Sequence, residues 1–401
     1  MNTEELRIAA ATYGTPTYIF DVREVEARIR LLRSLLPEGT GLCFAVKANP
    51  FLIPYVADMV DRLEVCSPGE YEICIQTEIA PEKIVVSGVN KTYESMKRIL
   101  SYSKGAGIYT IESEEHAKIL RTLAEKNQMQ LSVLIRLSSG NQFGVDAETF
   151  IRLAKEVQES PYLTLAGVHY YAGTQKRQSK LEKEMDTLAA FAETFEAETR
   201  MKLPELEYGA GMKVSYFVND SEKDQRESEP EPQIQALAEK LRTCDAYGKK
   251  TIELGRFLVS MSGYYLTRVM DVKRTAQPGF VILDGGIHQI NYYGWMMGMK
   301  QPEIKVLAEK DSDAGELFHL CGSLCTVNDV LARDVTLHNP EKGDVICFKR
   351  CGAYAATEGM AMFLSRELPQ VLICRTDGKI EKLRDRVETY PFHGSGNWNR
   401  M

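Results

Sequence analysis

The chain has 401 residues, and at about 150 residues per domain this length predicts two or three domains, or one barrel with a partner domain. Hydrophobic residues make up 44% of the sequence and charged residues 26%, which excludes disorder over most of the chain. Acidic residues exceed basic ones and give a net charge of -7, which argues against generic binding to nucleic acids or anionic membranes.

Apolar runs and amphipathic helical patterns alternate through the first two-thirds of the chain. An early run at Thr15–Phe20 precedes the alternation and is expected to pair with strands later in the sequence. Eight strand–helix repeats then predict a (β/α)8 barrel over residues 22–260, although a doubly wound sheet would also carry this alternation. The strand runs are almost continuously apolar, as parallel strands buried on both faces are, and span Leu42–Lys47, Arg62–Cys66, Ile84–Ser87, Ile108–Ile111, Leu131–Leu137, Leu163–His169, Glu205–Tyr208 and Thr251–Leu254.

The sequence pattern changes after about residue 260. Short β-rich runs separated by turns predict an antiparallel β-domain built from residues 1–21 and 261–401. One charged, low-complexity segment, Asn219–Gln233, is expected to be a solvated surface loop. Within the barrel region, Ser113 and Asp146 stand directly ahead of helical patterns, where N-cap residues are expected.

Chemistry in such a barrel gathers where the strands end. Lys47 closes an apolar strand, and poor hydration would lower the pKa of its amine toward that of a usable nucleophile. The run Gly209–Gly211 and the pair Gly255-Arg256 end the last two strands, where these barrels commonly bind phosphate. Glu253 would hydrogen-bond a ring nitrogen, and His169 would stack on a planar ring.

Each of these residues also has an ordinary structural interpretation. Lys47 would be a rim lysine paired with a carboxylate, and Gly209–Gly211 would be a tight turn. Glu253 would pair with Arg256, and His169 would be a hydrogen-bonded interior histidine. A lysine, a phosphate loop, a histidine and an acid at one barrel mouth together predict a pyridoxal 5'-phosphate site.

The sequence also resembles the fold-type III pyridoxal-phosphate decarboxylases, the group that contains diaminopimelate, ornithine and arginine decarboxylases. The resemblance runs from Thr15 to about Cys374. Its motifs are TPTYIFD, FAVKAN at Lys47, EVCSPGE (64–70), QFGV (142–145), GVHYYAGTQ (167–175), ELGR (253–256), LDGG (283–286), LCTVNDVLARD (324–334), PEKGD (340–344) and GAY (352–354).

The resemblance implies a role for each matching position. Lys47 forms the Schiff base with the cofactor, His169 stacks on its face, Glu253 pairs with its pyridine nitrogen and Arg136 lies near its ring. Cys325 reaches from the partner subunit of a head-to-tail homodimer and donates the product's proton, so the active sites are shared. The phosphate is held by Gly209, Gly211, Gly255, Arg256 and Tyr354.

Departures from the family pattern bear on the substrate. In diaminopimelate decarboxylases a glutamate that holds the distal amino group follows the cysteine, whereas this sequence has Thr326. The motif is closest to those of carrier-protein glutamyl decarboxylases and citryl-diaminopropionate decarboxylases. We therefore expect a modified or carrier-tethered amino-acid substrate near Thr326, Asp329 and His288. Lys213 places an unexpected charge beside the phosphate loop.

Two rival functions remain open at this stage. An amino-acid racemase on the same architecture typically places an arginine at the ring nitrogen, so Glu253 argues against it. A non-catalytic regulatory homologue would be marked by loss of Lys47 or Cys325, and both are present.

Location and metal content are also predicted from the sequence. No apolar run of about 18 residues is long enough to span a bilayer, and the N-terminal sequence lacks the features of a signal peptide. Nine scattered cysteines fit a reducing, cytoplasmic compartment. The Cys321-x3-Cys325 spacing, with His319 nearby, matches no standard zinc pattern, and no metal is expected.

Overall fold

Eight short parallel strands close into a barrel in this computed structural model, which describes residues 1–274, 277–292, 297–308 and 315–394. The chain divides into two compact units. The barrel unit comprises residues 28–214 and 225–258, and the sheet unit comprises residues 1–27, 215–224 and 259–401.

The described residues form seventeen strands and eleven α-helices. The strands are β1 (Thr17–Asp21), β2 (Gly41–Ala45), β3 (Arg62–Val65), β4 (Ile84–Val86), β5 (Ile108–Ile111), β6 (Leu131–Arg136), β7 (Leu163–Tyr171), β8 (Glu205–Gly209), β9 (Lys249–Leu254), β10 (Gly263–Lys273), β11 (Gly279–Leu283), β12 (Ile304–Val306), β13 (Glu316–Cys321), β14 (Val330–Leu337), β15 (Val345–Lys349), β16 (Gln370–Cys374) and β17 (Ile380–Arg384). The helices are α1 (Thr3–Tyr13), α2 (Val22–Leu35), α3 (Ile53–Val56), α4 (Pro68–Gln76), α5 (Tyr93–Ser103), α6 (Glu114–Asn127), α7 (Ala147–Glu159), α8 (Gln178–Thr199), α9 (Glu222–Glu227), α10 (Pro230–Thr243) and α11 (Arg256–Val259).

Strands β2 to β9 form the barrel in sequence order, with β9 pairing back to β2. The predicted parallel barrel is confirmed, and its strands coincide with the eight apolar runs to within two residues at each end. The predicted N-caps are confirmed as well, because Ser113 accepts the backbone N–H of His116 and Asp146 accepts that of Thr149. Cys43, Val85, Ile108 and Leu134 pack together as part of the barrel core.

The sheet unit is built on a nine-stranded sheet that includes β1 and β10 to β17. The early run pairs there as expected, since β1 lies between β10 and β16. However, β1 runs parallel to β16, and β11 runs parallel to β13. The sheet is therefore mixed and not antiparallel throughout, because β1 and β16 come from opposite ends of the chain and are not joined by a hairpin.

The charged segment Asn219–Gln233 is more ordered than expected. It contains α9 and the first turn of α10 rather than a simple loop. Pro230 is the first residue of α10, where its missing N–H costs no hydrogen bond and its fixed φ suits the helix. A separate finding is that no helix among the described residues is long and apolar enough to cross a membrane.

Candidate active site

Lys47 lies at the barrel mouth, on a single 3₁₀ turn that begins directly after β2. Its ammonium donates to Glu64 Oε2 at 2.7 Å and lies 3.4 Å from Cys66 Sγ. The side chain is 33% exposed. The thiol of Cys66 donates to the other oxygen of Glu64, and burial together with this carboxylate raises the pKa of Cys66, so the thiol stays protonated. Lys47 is thus an accessible amine held by an acidic partner on the neighbouring strand.

Glu253 and His169 form a buried pair beside Lys47. The Glu253 carboxylate accepts a hydrogen bond from His169 Nε2 at 2.9 Å, and its other oxygen lies 3.8 Å from Lys47 Nζ. Burial disfavours the charged carboxylate, but the charge of Lys47 and the hydrogen bond from His169 outweigh it and lower the pKa of Glu253. In the described part of the chain, His169 Nδ1 is buried without a hydrogen-bond partner. An ionised acid therefore lies beside Lys47, hydrogen-bonded to an imidazole whose other nitrogen is unsatisfied.

Glu207 lies fully buried on β8, close to this pair. Its Oε2 accepts a hydrogen bond from Arg62 at 2.8 Å, and burial raises its pKa to about 7 although Arg62 opposes the shift. One ring nitrogen of His169 and one carboxylate oxygen each from Glu207 and Glu253 lie within 4.8 Å of one another. Both carboxylates of this cluster are already engaged, one by Arg62 and the other by His169 and Lys47.

Arg136 ends β6 and belongs to a second buried ionic network. Its Nη1 donates to Glu112 Oε2 at 2.9 Å, while Lys91 Nζ lies 3.5 Å from the other oxygen of Glu112. Burial lowers the pKa of Lys91 to about 8, against the opposing charge of Glu112. The guanidinium of Arg136 lies 4.7 Å from the centre of the Phe143 ring, and its Nε has no partner among the described residues.

The predicted phosphate loop follows β8 and requires its glycines. A Cβ added to Gly209 would lie 2.5 Å from the Tyr171 ring. Gly211 has a φ of +58°, which favours glycine, and a Cβ added there would lie only 2.2 Å from Gly173 O. Gly255 is similarly close to the Lys47 turn, because its Cβ would lie 2.9 Å from Ala48 Cβ. Glycine is thus required at these three positions by contacts within the barrel unit itself.

Two charged residues flank these loops. Arg256 is the first residue of α11, directly after Gly255. The unexpected charge of Lys213 is paired with Glu227 at 3.0 Å, so this lysine does not act as an isolated cation beside the loop.

The remaining predicted site residues lie in the sheet unit. Cys325 is exposed on a loop that also contains Thr326 and Asp329. The buried Asp329 carboxylate accepts the N–H groups of Ile287 at 2.8 Å and Leu324 at 2.7 Å. The loop that presents Cys325 is therefore fixed by Asp329, while the side chain of Cys325 itself is in solvent.

His288 and Tyr354 belong to the same unit. Both ring nitrogens of the buried His288 lack partners within the described ranges, and burial, followed by the charge of Arg366, lowers its pKa to about 4. His288 is thus a neutral imidazole at neutral pH. Tyr354 is half-buried with a φ of +64°, and its carbonyl accepts the N–H groups of Thr357 and Glu358.

Sequence reasoning missed three residues that shape the barrel mouth. Glu64 holds Lys47, Glu207 lies against the His169–Glu253 pair, and Lys91 supports the Arg136 network. Glu64 and Glu207 both occur within predicted barrel strands, β3 and β8. A charged residue within such a strand faces either the barrel interior or a helix, and this signal was available from the sequence.

Comparison with known proteins adds independent findings. The family model described as pyridoxal-dependent decarboxylase, pyridoxal binding domain, matches residues 22–260. An L-glutamyl-(BtrI acyl-carrier protein) decarboxylase of Niallia circulans is 26% identical over 423 aligned residues, which cover 96% of this chain and 94% of the relative. A diaminopimelate decarboxylase of Actinosynnema pretiosum subsp. auranticum is 30% identical over 374 residues, with 86% and 80% covered.

A third relative and a solved structure extend the similarity. A 2-((L-alanin-3-ylcarbamoyl)methyl)-2-hydroxybutanedioate decarboxylase of Staphylococcus aureus is 25% identical over 396 residues, covering 91% of this chain and 96% of the relative. The crystal structure of diaminopimelate decarboxylase from Helicobacter pylori complexed with L-lysine superposes with a TM-score of 0.81 at 22% identity. It covers 97% of this chain and 98% of that one, so the two share the fold.

Proposed function

The chain belongs to the pyridoxal-dependent decarboxylase family, and from this premise we propose that it decarboxylates a modified or carrier-tethered amino acid at the barrel mouth around Lys47. The observation that carries the proposal is the arrangement of an accessible amine, Lys47, beside an ionised and buried acid, Glu253. That pair fits a cofactor with an aldehyde at one position and a basic ring nitrogen at another.

The residues present fit pyridoxal 5'-phosphate. Two buried polar atoms, His169 Nδ1 and Arg136 Nε, lack partners among the described residues, and both residues lie at or near the ends of barrel strands, as Lys47 follows one. A Cβ at Gly209 or Gly211 would meet Tyr171 or Gly173, so the loop that ends β8 needs glycine at both positions. In the proposal these glycines, with Gly255, Arg256 and Tyr354, hold the phosphate.

When bound, pyridoxal phosphate supplies an electron sink for the pair left by departing CO2. Lys47 would hold the cofactor through its amine, which is paired with Glu64 in this structure. Glu253 would stabilise a protonated ring nitrogen, because its lowered pKa keeps the carboxylate ionised. His169 would lie against the ring, and it orients Glu253 through the 2.9 Å hydrogen bond.

The proton that replaces CO2 is assigned to Cys325 of the partner subunit. The thiol is exposed on a loop fixed by Asp329, which supports a group presented to another subunit. In this proposal the barrel domain spans residues 22–260, residues 1–21 and 261–401 form the second domain, and the homodimer is cytoplasmic.

Subunit mixing tests the shared site. The Lys47→Ala homodimer should be inactive and the Cys325→Ala homodimer about 100-fold slower than wild type. Unfolding and refolding the two together should restore about a quarter of wild-type activity, because half of the dimers then hold one intact site of two. Activity that stays at the level of the separate variants contradicts a site shared between subunits.

The substrate class follows from Thr326. A threonine cannot supply the carboxylate that would hold a free distal ammonium group, so the proposed substrate has no such group to be held. Two relatives with similar coverage are named for a carrier-bound glutamyl group and for a carbamoyl-modified alanine. His288 is neutral and buried, and we propose that it contacts this modified end of the substrate.

Mass spectrometry in D2O tests the proposal. The protein loaded with pyridoxal phosphate is incubated with D- and L-amino acids, a citryl-diaminopropionate and a glutamyl-loaded carrier protein. Loss of CO2 with gain of one deuterium is the expected result for a modified or tethered substrate. Deuterium uptake without loss of CO2 would mean a racemase, and the role given to Glu253 would then be withdrawn.

A further inference from the structure

We propose that Lys176 is a positioning residue for the phosphate loop, which it holds from behind so that backbone N–H groups of the loop face the ligand. The inference rests on the proposed function, because the loop is assigned to the cofactor phosphate there. Lys176 follows β7 and its side chain is 1% exposed.

Two carbonyl groups of the loop are held by this one residue. The ammonium of Lys176 donates to Gly209 O at 2.9 Å, and its backbone N–H donates to Gly211 O at 2.9 Å. In a trans peptide the C=O and the following N–H point in opposite directions. The N–H groups of Ala210 and Met212 are therefore turned away from Lys176.

The buried charge of Lys176 is compensated behind the loop. Glu184 Oε2 accepts from Lys176 Nζ at 2.7 Å and from the Tyr208 hydroxyl at 2.8 Å. Burial lowers the pKa of Lys176, and the Glu184 carboxylate opposes this shift. The rings of Tyr171 and Tyr208 lie 5.6 Å and 5.1 Å from the ammonium. Lys176, Glu184 and Tyr208 thus form a buried cluster whose loop contact is the Gly209 carbonyl.

A charged donor on Gly209 O does more than fix the loop. Hydrogen bonds polarise one another across a peptide, so an ammonium on the carbonyl strengthens the Ala210 N–H as a donor. A stronger N–H donor in the loop favours a phosphorylated ligand over one that lacks the phosphate.

The test compares pyridoxal phosphate with pyridoxal, which has the aldehyde and ring but no phosphate. Both are titrated into the full-length protein stripped of cofactor, and the dissociation constants are measured by absorbance. The variants are Lys176→Met and the double variant Lys176→Met/Glu184→Gln, which leaves no unpaired buried carboxylate. Lys180→Met is the matched control, because Lys180 is an exposed lysine at the start of the next helix.

The double variant should bind pyridoxal phosphate about 10- to 100-fold more weakly, the usual effect of losing a charge-assisted hydrogen bond, and should bind pyridoxal as the wild type does. Equal weakening of both ligands would mean general damage to the barrel, and no weakening of either would mean that the loop does not need Lys176. Either result overturns the inference. Wild-type protein that binds neither ligand would instead refute the proposed function.

Discussion

Replacing Glu207 with glutamine should stabilise the protein at alkaline pH and have little effect at acidic pH. Glu207 is fully buried, and burial raises its pKa from 4.5 to about 7 although Arg62 opposes the shift. A carboxyl group with a raised pKa binds its proton more tightly in the folded state, so the stability it contributes is complete below pH 4.5 and is lost as the pH rises through 7. At about 1.4 kcal/mol per pKa unit, the full loss is about 3.5 kcal/mol. Glutamine carries no charge at any pH, so the variant does not lose this stability at alkaline pH.

Urea unfolding at about pH 5 and about pH 8.5, on either side of the expected titration, measures this effect. The free energy of unfolding of Glu207→Gln, relative to wild type, should rise by about 2–3 kcal/mol between the two pH values. Glu205→Gln is the matched control. Glu205 also binds Arg62, at 2.7 and 2.9 Å. Its replacement should therefore destabilise the protein equally at both pH values. If the difference in the free energy of unfolding between Glu207→Gln and wild type is the same at both pH values, the pKa of Glu207 is not raised and the argument is refuted.

Three further predictions concern the loop that carries Cys325. Asp329→Asn should lower the free energy of unfolding by about 2–4 kcal/mol, because one of the two buried N–H groups that Asp329 accepts loses its acceptor. A free energy of unfolding in urea that does not change would show that Asp329 does not fix the loop. Cys325→Ala should bind pyridoxal phosphate normally in an absorbance titration while product formation slows by about 100-fold, the usual effect of removing a general acid; a wild-type rate would exclude Cys325 as the proton donor. Free diaminopimelate should be a poor substrate in a CO2-release assay, and its efficient turnover would refute the interpretation of Thr326.

The barrel could be predicted from sequence because each strand carries its own signal. Runs rich in apolar residues locate all eight strands, and Ser113 and Asp146 mark helix starts by local hydrogen bonding. The direction of pairing in the other sheet has no such local signal. β1 meets β16 across more than three hundred residues, and its sequence is compatible with either a parallel or an antiparallel neighbour.

The site was predicted less completely than the fold. Motif positions located Lys47, His169 and Glu253, which the structure brings together. Their partners were not found, because contacts such as that between Lys47 and Glu64 depend on the register of adjacent strands. Lys176 was missed for a similar reason, since its link to Gly209 is formed only when the chain after β7 returns beside the end of β8.

Borohydride reduction followed by peptide mapping tests the central claim most directly. Reduction fixes pyridoxal phosphate to the amine that holds it. Lys47 is one third exposed, and the barrel unit also has two buried lysines, Lys91 with a pKa of about 8 and Lys176 against Glu184. We predict that the phosphopyridoxyl group is found on Lys47 alone and that Lys47→Ala abolishes labelling. A label on Lys91 or Lys176 in the wild-type protein, or none at all, would contradict the assignment of the active site.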